Sequence, residues 1–438
     1  MAAFENLKAT VQQIGADVKA LSGGASPTGP LLRPKNNIVA IIGDSITNQC
    51  TGANGTETYG YLSNALRQSD ARFVFPLANN FGVGGDTTTQ IRVRTPNVVA
   101  SGAGIVIMLG GTNDRTSGLT VQTSIDNYKY MRDQFIAAGQ FVICVVPMPR
   151  GDKRNATTIS KTLTAAQLTD ALRYRDRILK EMPKQGCVAV DTWPDFSDLS
   201  SSTGEVIQGY THDGLHPSPT GAFVLGSLIA QEIKKLLPLD AILPISNSDI
   251  YNATTNPFGL VTVNPMMLGT AGTPATGGTG ELADGWRGST ASTAAGVTRT
   301  YSKVTKDGKV WQQVVLGGAT PSQAGRLDLL SQVALQGNIV LGGVYEIVGQ
   351  YEIDAGSSFI LSIQPGIQIN SDVVQYDGDR YDADQYFPVV AQSGVFRSPQ
   401  MQINTATDIR ALVSLYVSNV GTPNATIRFR AVGMRRVS

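Results

Sequence analysis

Histidine, cysteine and charge are all scarce in this chain, and each scarcity narrows what it can be. Charged residues make up 16% of the sequence, below the ~25% usual for globular proteins, and the net charge is +1 with no basic block. A nucleic-acid-binding face therefore has no support. The three cysteines, Cys50, Cys144 and Cys187, are odd in number, far apart and form no Cys-x-x-Cys. That argues against a disulfide framework and against a cysteine zinc site. No apolar run approaches the ~18 residues that a membrane span needs. The stretch from Met1 to Lys8 lacks a basic segment followed by an apolar one, so no export signal is expected.

What is present is apolar residues at 42% and 47 glycines, enough for real cores and many tight turns. At 438 residues the chain is long for one domain, and ~150 residues per domain predicts two or three. Phe4, Leu7, Val11, Ile14, Val18 and Leu21 are spaced 3-4-3-4-3, an a/d seam over about two and a half heptads. We expect residues 1–24 to form a helix that self-associates or docks on its own domain, followed by a Gly/Pro-rich linker at 25–36.

From residue 37 to about 240 the pattern is α/β. Continuous apolar runs at 38–42, 105–109, 141–146 and 187–190 read as strands buried on both faces. Helical stretches around 59–68, 124–138, 165–182 and 219–237 separate or follow them. This alternation predicts a parallel sheet with helices on both faces. A polar segment at 241–256 reads as a second linker. Beyond it, residues 257–438 turn to period-2 alternation, as in Ala411, Val413, Leu415 and Val417 against Ser414, Tyr416 and Ser418. An antiparallel β-sandwich, jelly-roll-like, is expected there. Its Trp286 and Trp311 could stack on sugar rings or fill the core, and Trp193 could line a cleft or pack.

Four short segments carry the chemistry. Gly43-Asp44-Ser45 directly follows an apolar run, which puts Ser45 at the C-terminal end of a strand, where open parallel sheets bind ligands. Alone, this tripeptide reads better as an Asx-type turn. Asn79 to Thr87 holds Gly82, Gly84 and Gly85, able to turn backbone N–H groups toward a small anion. Gly110-Gly-Thr-Asn113-Asp114 follows another strand-like run, and the Asn113 amide could donate at the same sheet edge. Both histidines, His212 and His216, lie in Thr211-His-Asp213-Gly-Leu-His216-Pro217. A serine nucleophile needs a base of near-neutral pKa, and histidine fills that role. Asp213, three residues before His216, could contact its ring and fix the tautomer. Two surface histidines, or a metal held by His212, Asp213 and His216, are the alternatives for this segment.

Together, in this order and spacing, the four segments resemble the SGNH or GDSL hydrolase family over residues 37–237. The resemblance implies a flavodoxin-like fold and a serine esterase with no cofactor. Ser45 would be the nucleophile, His216 the base and Asp213 its orienting acid. The oxyanion would meet N–H groups of Ser45, of Gly85 (or of Gly84 or Gly82 under another alignment) and of the Asn113 side chain. The first segment reads Gly-Asp-Ser-Ile-Thr where Gly-Asp-Ser-Leu-Ser is commoner, and Gly84 stands where serine is often seen. The N-terminal helix resembles helical segments of bacteriophage tail-fibre and tailspike proteins. That implies a homotrimeric virion protein whose β-sandwich binds carbohydrate or a receptor, and whose esterase removes O-acetyl groups from bacterial surface polysaccharide. A lipid or thioester hydrolase, and a receptor-binding protein with an idle esterase domain, are the competing expectations.

Overall fold

The computed structural model describes residues 33–52, 55–56, 60–155, 158–201, 204–240, 242–274, 276–288, 295–333, 336–370, 372–375, 387–404 and 408–438. The heptad pattern at 1–24 lies outside these residues.

Five parallel strands form the first sheet: β1 (Val39–Gly43), β2 (Asn80–Gly82), β3 (Ile105–Leu109), β4 (Phe141–Val145) and β5 (Cys187–Val190). Their order is β2-β1-β3-β4-β5. Because side chains alternate along a strand, each one feeds two cores. Val39, Ile41, Ile105, Ile107, Ile143 and Val145 pack on one face, and Ala40, Ile42, Val106, Met108, Val142 and Cys144 on the other. All are fully buried. Each such aliphatic side chain contributes about 1.5–3 kcal/mol, which is why these runs are apolar without interruption.

The helices that cover this sheet are α1 (Ser45–Asn48), α2 (Tyr61–Gln68), α3 (Thr88–Val93), α4 (Thr95–Ala100), α5 (Val121–Ala137), α6 (Ala165–Glu181), α7 (Trp193–Phe196) and α8 (Pro219–Leu236). Strand β2 and helices α3 and α4 have no counterpart in the periodicity reading. β2 is three residues long, and α3 and α4 are one-and-a-half-turn helices that break at Arg94, too short to show a period.

The C-terminal half is built of two mostly antiparallel sheets. Its strands are β6 (Ala271–Thr273), β7 (Gly278–Gly280), β8 (Leu282–Arg287), β9 (Val297–Lys306), β10 (Lys309–Gly318), β11 (Gly325–Val333), β12 (Val344–Ile353), β13 (Ile360–Ile369), β14 (Asp372–Gln375), β15 (Gln392–Arg397), β16 (Met401–Gln402), β17 (Ile409–Val417) and β18 (Ala425–Arg436). One sheet runs β6-β8-β11-β17-β13-β14, the other β7-β9-β10-β18-β12-β15 with β16 beside β12. From β10 to β13 the chain changes sheet at every strand. The last two strands, β17 and β18, each insert between earlier strands of their own sheet. This is a jelly-roll-like crossing. Trp286, Leu327, Leu415, Ile427 and Phe429 share the core between the sheets. Trp286 is buried and donates its indole N–H to Asn264 O at 3.2 Å, and Trp311 is also buried, so both fill core rather than offer a face to a sugar.

The segment read as a linker at 241–256 is packed where it is described. Ile242 fills the α/β core, Tyr251 leans on the sandwich core, and Ile250 bridges to Leu260. Its polar composition hid a few apolar anchors. The two halves also meet directly. Val348 and Val395 of the sandwich enter the core beneath α2. Arg397, paired with the fully buried Glu346, donates to Ala71 O and Phe73 O, each at 3.3 Å.

Candidate active site

In an open parallel sheet the binding crevice lies beyond the carboxyl ends of the strands, where neighbouring strands leave in opposite directions. Here that switch falls between β1 and β3. Ser45 follows β1 and Asn113 follows β3, so the sheet itself sets these two residues side by side.

Ser45 is the first residue of α1, and Asp44 is the N-cap, its Oδ1 accepting from Ile46 N–H at 3.1 Å. Gly43 is required by closeness: a Cβ there would lie 1.9 Å from Leu109 O on β3. Asp44 is fully buried, and its Oδ2 has no hydrogen-bond partner among the described residues. Burial pushes its carboxyl up to about 7, against the lowering effects of the Ile46 N–H, His216 and Arg150.

The loop at 211–217 is a closed turn. Thr211 bridges to Pro217, and His212 N–H donates to His216 O at 3.0 Å. Asp213 organises it: Oδ1 accepts from Leu215 N–H at 2.9 Å and His216 N–H at 2.8 Å. Oδ2 lies 2.8 Å from His216 Nδ1, and His216 Nε2 lies 2.9 Å from Ser45 Oγ. Burial alone would raise the Asp213 carboxyl, but the hydrogen bonds from the His216 ring, the His216 N–H and the Leu215 N–H outweigh it and hold it well below the usual carboxylate range. Directly after the turn, Ser218 caps α8 through Gly221 N–H, and Pro219 opens the helix, fixing where the loop ends.

His212 stacks on His216, with ring centroids 5.7 Å apart, and its Nδ1 lies 3.0 Å from Pro217 O. Ligand atoms of His212, Asp213 and His216 all lie within 4.8 Å of one another, so one cation could reach all three. A cation on Asp213 and His216 would compete with the contacts to Ser45 and between the two residues.

The glycine loop lies on the other side of Ser45. Gly82 N–H donates to Asn80 Oδ1 at 2.9 Å, so it is already engaged. The N–H groups of Ser45, Gly84 and Gly85 have no protein acceptor among the described residues. Gly85 adopts φ +82°, the left-handed region, and both it and Gly84 are exposed. A Cβ on Gly84 would sit 4.0 Å from Ser45 Cβ. Asn113 Nδ2 donates one bond, to Asp86 O at 3.0 Å, and its second N–H remains.

Two residues in this arrangement gave no sequence signal. Arg94, between α3 and α4, donates to Gly43 O and to Phe81 O, each at 2.9 Å, and pairs with the Asp86 carboxylate. It thereby ties the end of β1 to the glycine loop. Arg150 donates to Thr112 O at 3.1 Å, while the next residue, Gly151, donates to Gly214 O at 2.8 Å. That loop links the Asn113 and His216 loops. Trp193 is buried and donates to Pro147 O at 3.0 Å, and it also lines the cleft beneath these loops.

Residues 41–222 match the model of the GDSL-like Lipase/Acylhydrolase family. The α/β half of the chain is a GDSL/SGNH hydrolase domain, of the esterase or acylhydrolase type. Among solved structures it is similar to a GDSL-like lipase from Bacteroides thetaiotaomicron, at 18% identity, the match covering 50% of this chain and 97% of the other, with a TM-score of 0.35. A catalytic mutant of an acetylxylan esterase from Geobacillus stearothermophilus is 18% identical, the match covering 45% of this chain and 94% of the other, with a TM-score of 0.35. No curated protein matches the chain.

Proposed function

We propose that the protein is a serine esterase with Ser45 as nucleophile, His216 as base and Asp213 as the acid that orients it, acting on O-acetyl groups of bacterial surface polysaccharide. The observation that carries the reading is the continuous hydrogen-bonded series from Ser45 Oγ through both nitrogens of His216 to Asp213, at 2.9 and 2.8 Å. Ser45 Oγ attacks the ester carbonyl while Nε2 takes its proton. Asp213 keeps the Nδ1–H in place and stabilises the imidazolium. The oxyanion meets the free N–H groups of Ser45 and Gly85, with Gly84 beside them, and the second N–H of Asn113. One such donor is worth about 3–4 kcal/mol. His216 returns the proton to the leaving alcohol, and water then cleaves the acyl-enzyme by the same route. Each step draws on the protein's own groups.

A polymer-borne ester is supported by the open rim at Ser45, where Val83, Gly84 and Gly85 are exposed and the glycines present no side chain. Assignment to a phage tail and to a homotrimer rests on the heptad at 1–24 and belongs to the same proposal. Light scattering with and without those residues tests it, and an unchanged mass would count against the helix as the assembly element. The catalytic reading is tested with p-nitrophenyl esters of increasing chain length and with acetate release from purified capsule and lipopolysaccharide. We expect acetate esters to be cleaved fastest and Ser45→Ala to abolish turnover while the fold is kept. A preference for octanoate would favour a lipid hydrolase, and no turnover at all an idle domain.

A further inference from the structure

Beneath the Asn113 and His216 loops lies a narrow cleft lined by Thr112, Met148, Tyr174 and Trp193, and by two guanidinium groups, Arg115 and Arg150. Arg115 and Arg150 are 6% and 9% exposed. Arg150 spends Nη1 on Thr112 O. The edge of its guanidinium that carries Nε and Nη2 has no acceptor among the described residues, and Nε is completely buried. Nor does Arg150 form an ion pair with a described residue: Asp44 and Asp213 act on it from beyond ion-pair distance. Arg115 differs, because its charge is met by Asp114 at 3.7 Å and its Nη2 is bonded to Ser124 Oγ. Its Nε and Nη1 are nevertheless buried without an acceptor.

A buried charged donor without an acceptor costs the full desolvation of that group, so such an edge is unfavourable unless something fills it. A guanidinium N–H without an acceptor, here that of Arg150 Nη2, binds a carboxylate oxygen through a charge-assisted hydrogen bond. The cleft offers about 20 Å³, far less than a sugar ring needs. Its mouth is bounded by Thr112, the neighbour of Asn113, and by the loop that Gly151 ties to Gly214. The cleft thus adjoins the loops that carry Asn113 and His216.

We propose that Arg150, assisted by Arg115, is a specificity subsite for a carboxylate on the alcohol portion of the substrate, so that the ester cleaved is an O-acylated acidic sugar. The subsite rests on the esterase reading only for the identity of the molecule that carries the carboxylate. Its test is a binding measurement that needs no turnover. The full-length protein is titrated calorimetrically with glucuronate, glucose and acetate, three probes that separate a sugar acid from its neutral analogue and from a free carboxylate. Glucuronate is expected to bind at least 10-fold more tightly than either of the others, and Arg150→Gln to bring the glucuronate-to-glucose ratio below 3-fold. Equal binding of glucuronate and glucose by the wild-type protein overturns the subsite, as does a ratio kept in folded Arg150→Gln. Acetate binding as tightly as glucuronate reduces it to a general anion site and also overturns the proposal. Should Arg150→Gln fail to fold, Arg115→Gln and the wild-type ratio decide. Turnover of p-nitrophenyl acetate is read in parallel: binding without turnover fails the esterase reading alone, and turnover without selective binding fails the subsite alone.

Discussion

Replacing Asp213 by asparagine changes one heavy atom and, by the geometry of its turn, should silence the site without unfolding it. Oδ1 accepts two backbone N–H groups, from Leu215 and His216. An asparagine at 213 keeps those bonds only if its oxygen stays where Oδ1 is, which forces its NH2 toward His216 Nδ1. The flipped amide would leave two part-buried donors unmet, at ~1–3 kcal/mol each. Even ~2 kcal/mol biases the orientation by a factor of about 30. Facing a donor, Nδ1 must become the acceptor, and the ring proton moves to Nε2, which then points it at Ser45 Oγ, 2.9 Å away. In that tautomer the imidazole cannot take the serine proton. The same substitution in a serine protease triad lowers kcat about 10⁴-fold, and we expect a fall of 10³–10⁴ in kcat/KM here, measured with p-nitrophenyl acetate. Stability follows a separate logic. The folded-state pKa of Asp213 is depressed, so its contribution to stability is present above about pH 4 and lost as pH falls further. The variant should therefore lose less stability than the wild type between about pH 4 and pH 2. If Asp213→Asn retained a tenth or more of wild-type activity, the tautomer argument, and Asp213 as the orienting acid, would fail.

Three other outcomes follow from the site and its supports. Asn113→Ala should lower kcat by about 10²–10³ with KM nearly unchanged, and a change confined to KM would mean that the amide only binds substrate. Asp44 has a raised folded-state pKa, so its contribution is present below about pH 4 and is lost as pH rises through about 7; Asp44→Asn, which keeps the cap, should gain urea stability over the wild type between about pH 5 and 8, and a difference that ignores pH would refute it. Glu346→Gln leaves Arg397 and Arg435 without their shared counter-ion and should cost about 3–5 kcal/mol in denaturant unfolding, with partial recovery in the double variant Glu346→Met, Arg397→Met; a loss under about 1 kcal/mol would show that this ion pair within the sandwich adds little to stability.

The parts of this molecule that could be read from sequence are those in which a repeated physical demand leaves a period. β1, β3, β4 and β5 are buried on both faces and so appear as unbroken apolar runs, and the long helices α5, α6 and α8 announce themselves by length and caps. Ser45, Asn113, Asp213 and His216 were legible for another reason: each follows a strand or precedes a helix with a recognisable start, and histidine occurs only twice. Strand β2 leaves no period because three residues hold none. Arg94 and Arg150 were invisible because each works through backbone carbonyls, Gly43 and Phe81 in one case and Thr112 in the other. A carbonyl is present at every position, so no residue type marks its partner.

The proposed oxyanion donors come from three separate chain segments, and a rigid sheet fixes only two of them. The third, the glycine loop, has neither a period nor side-chain packing at Gly84 and Gly85 to hold it. Its position is set at one end by Arg94, through Phe81 O and the Asp86 carboxylate, and at the other by Asn113, through Asp86 O. Asn113 donates one N–H to hold the loop, and in the proposed mechanism its other N–H meets the oxyanion, so the donor and the device that aligns its neighbour would be one amide group. An aspartate at position 113 could not do both, because an ionised carboxylate has no N–H to give to either.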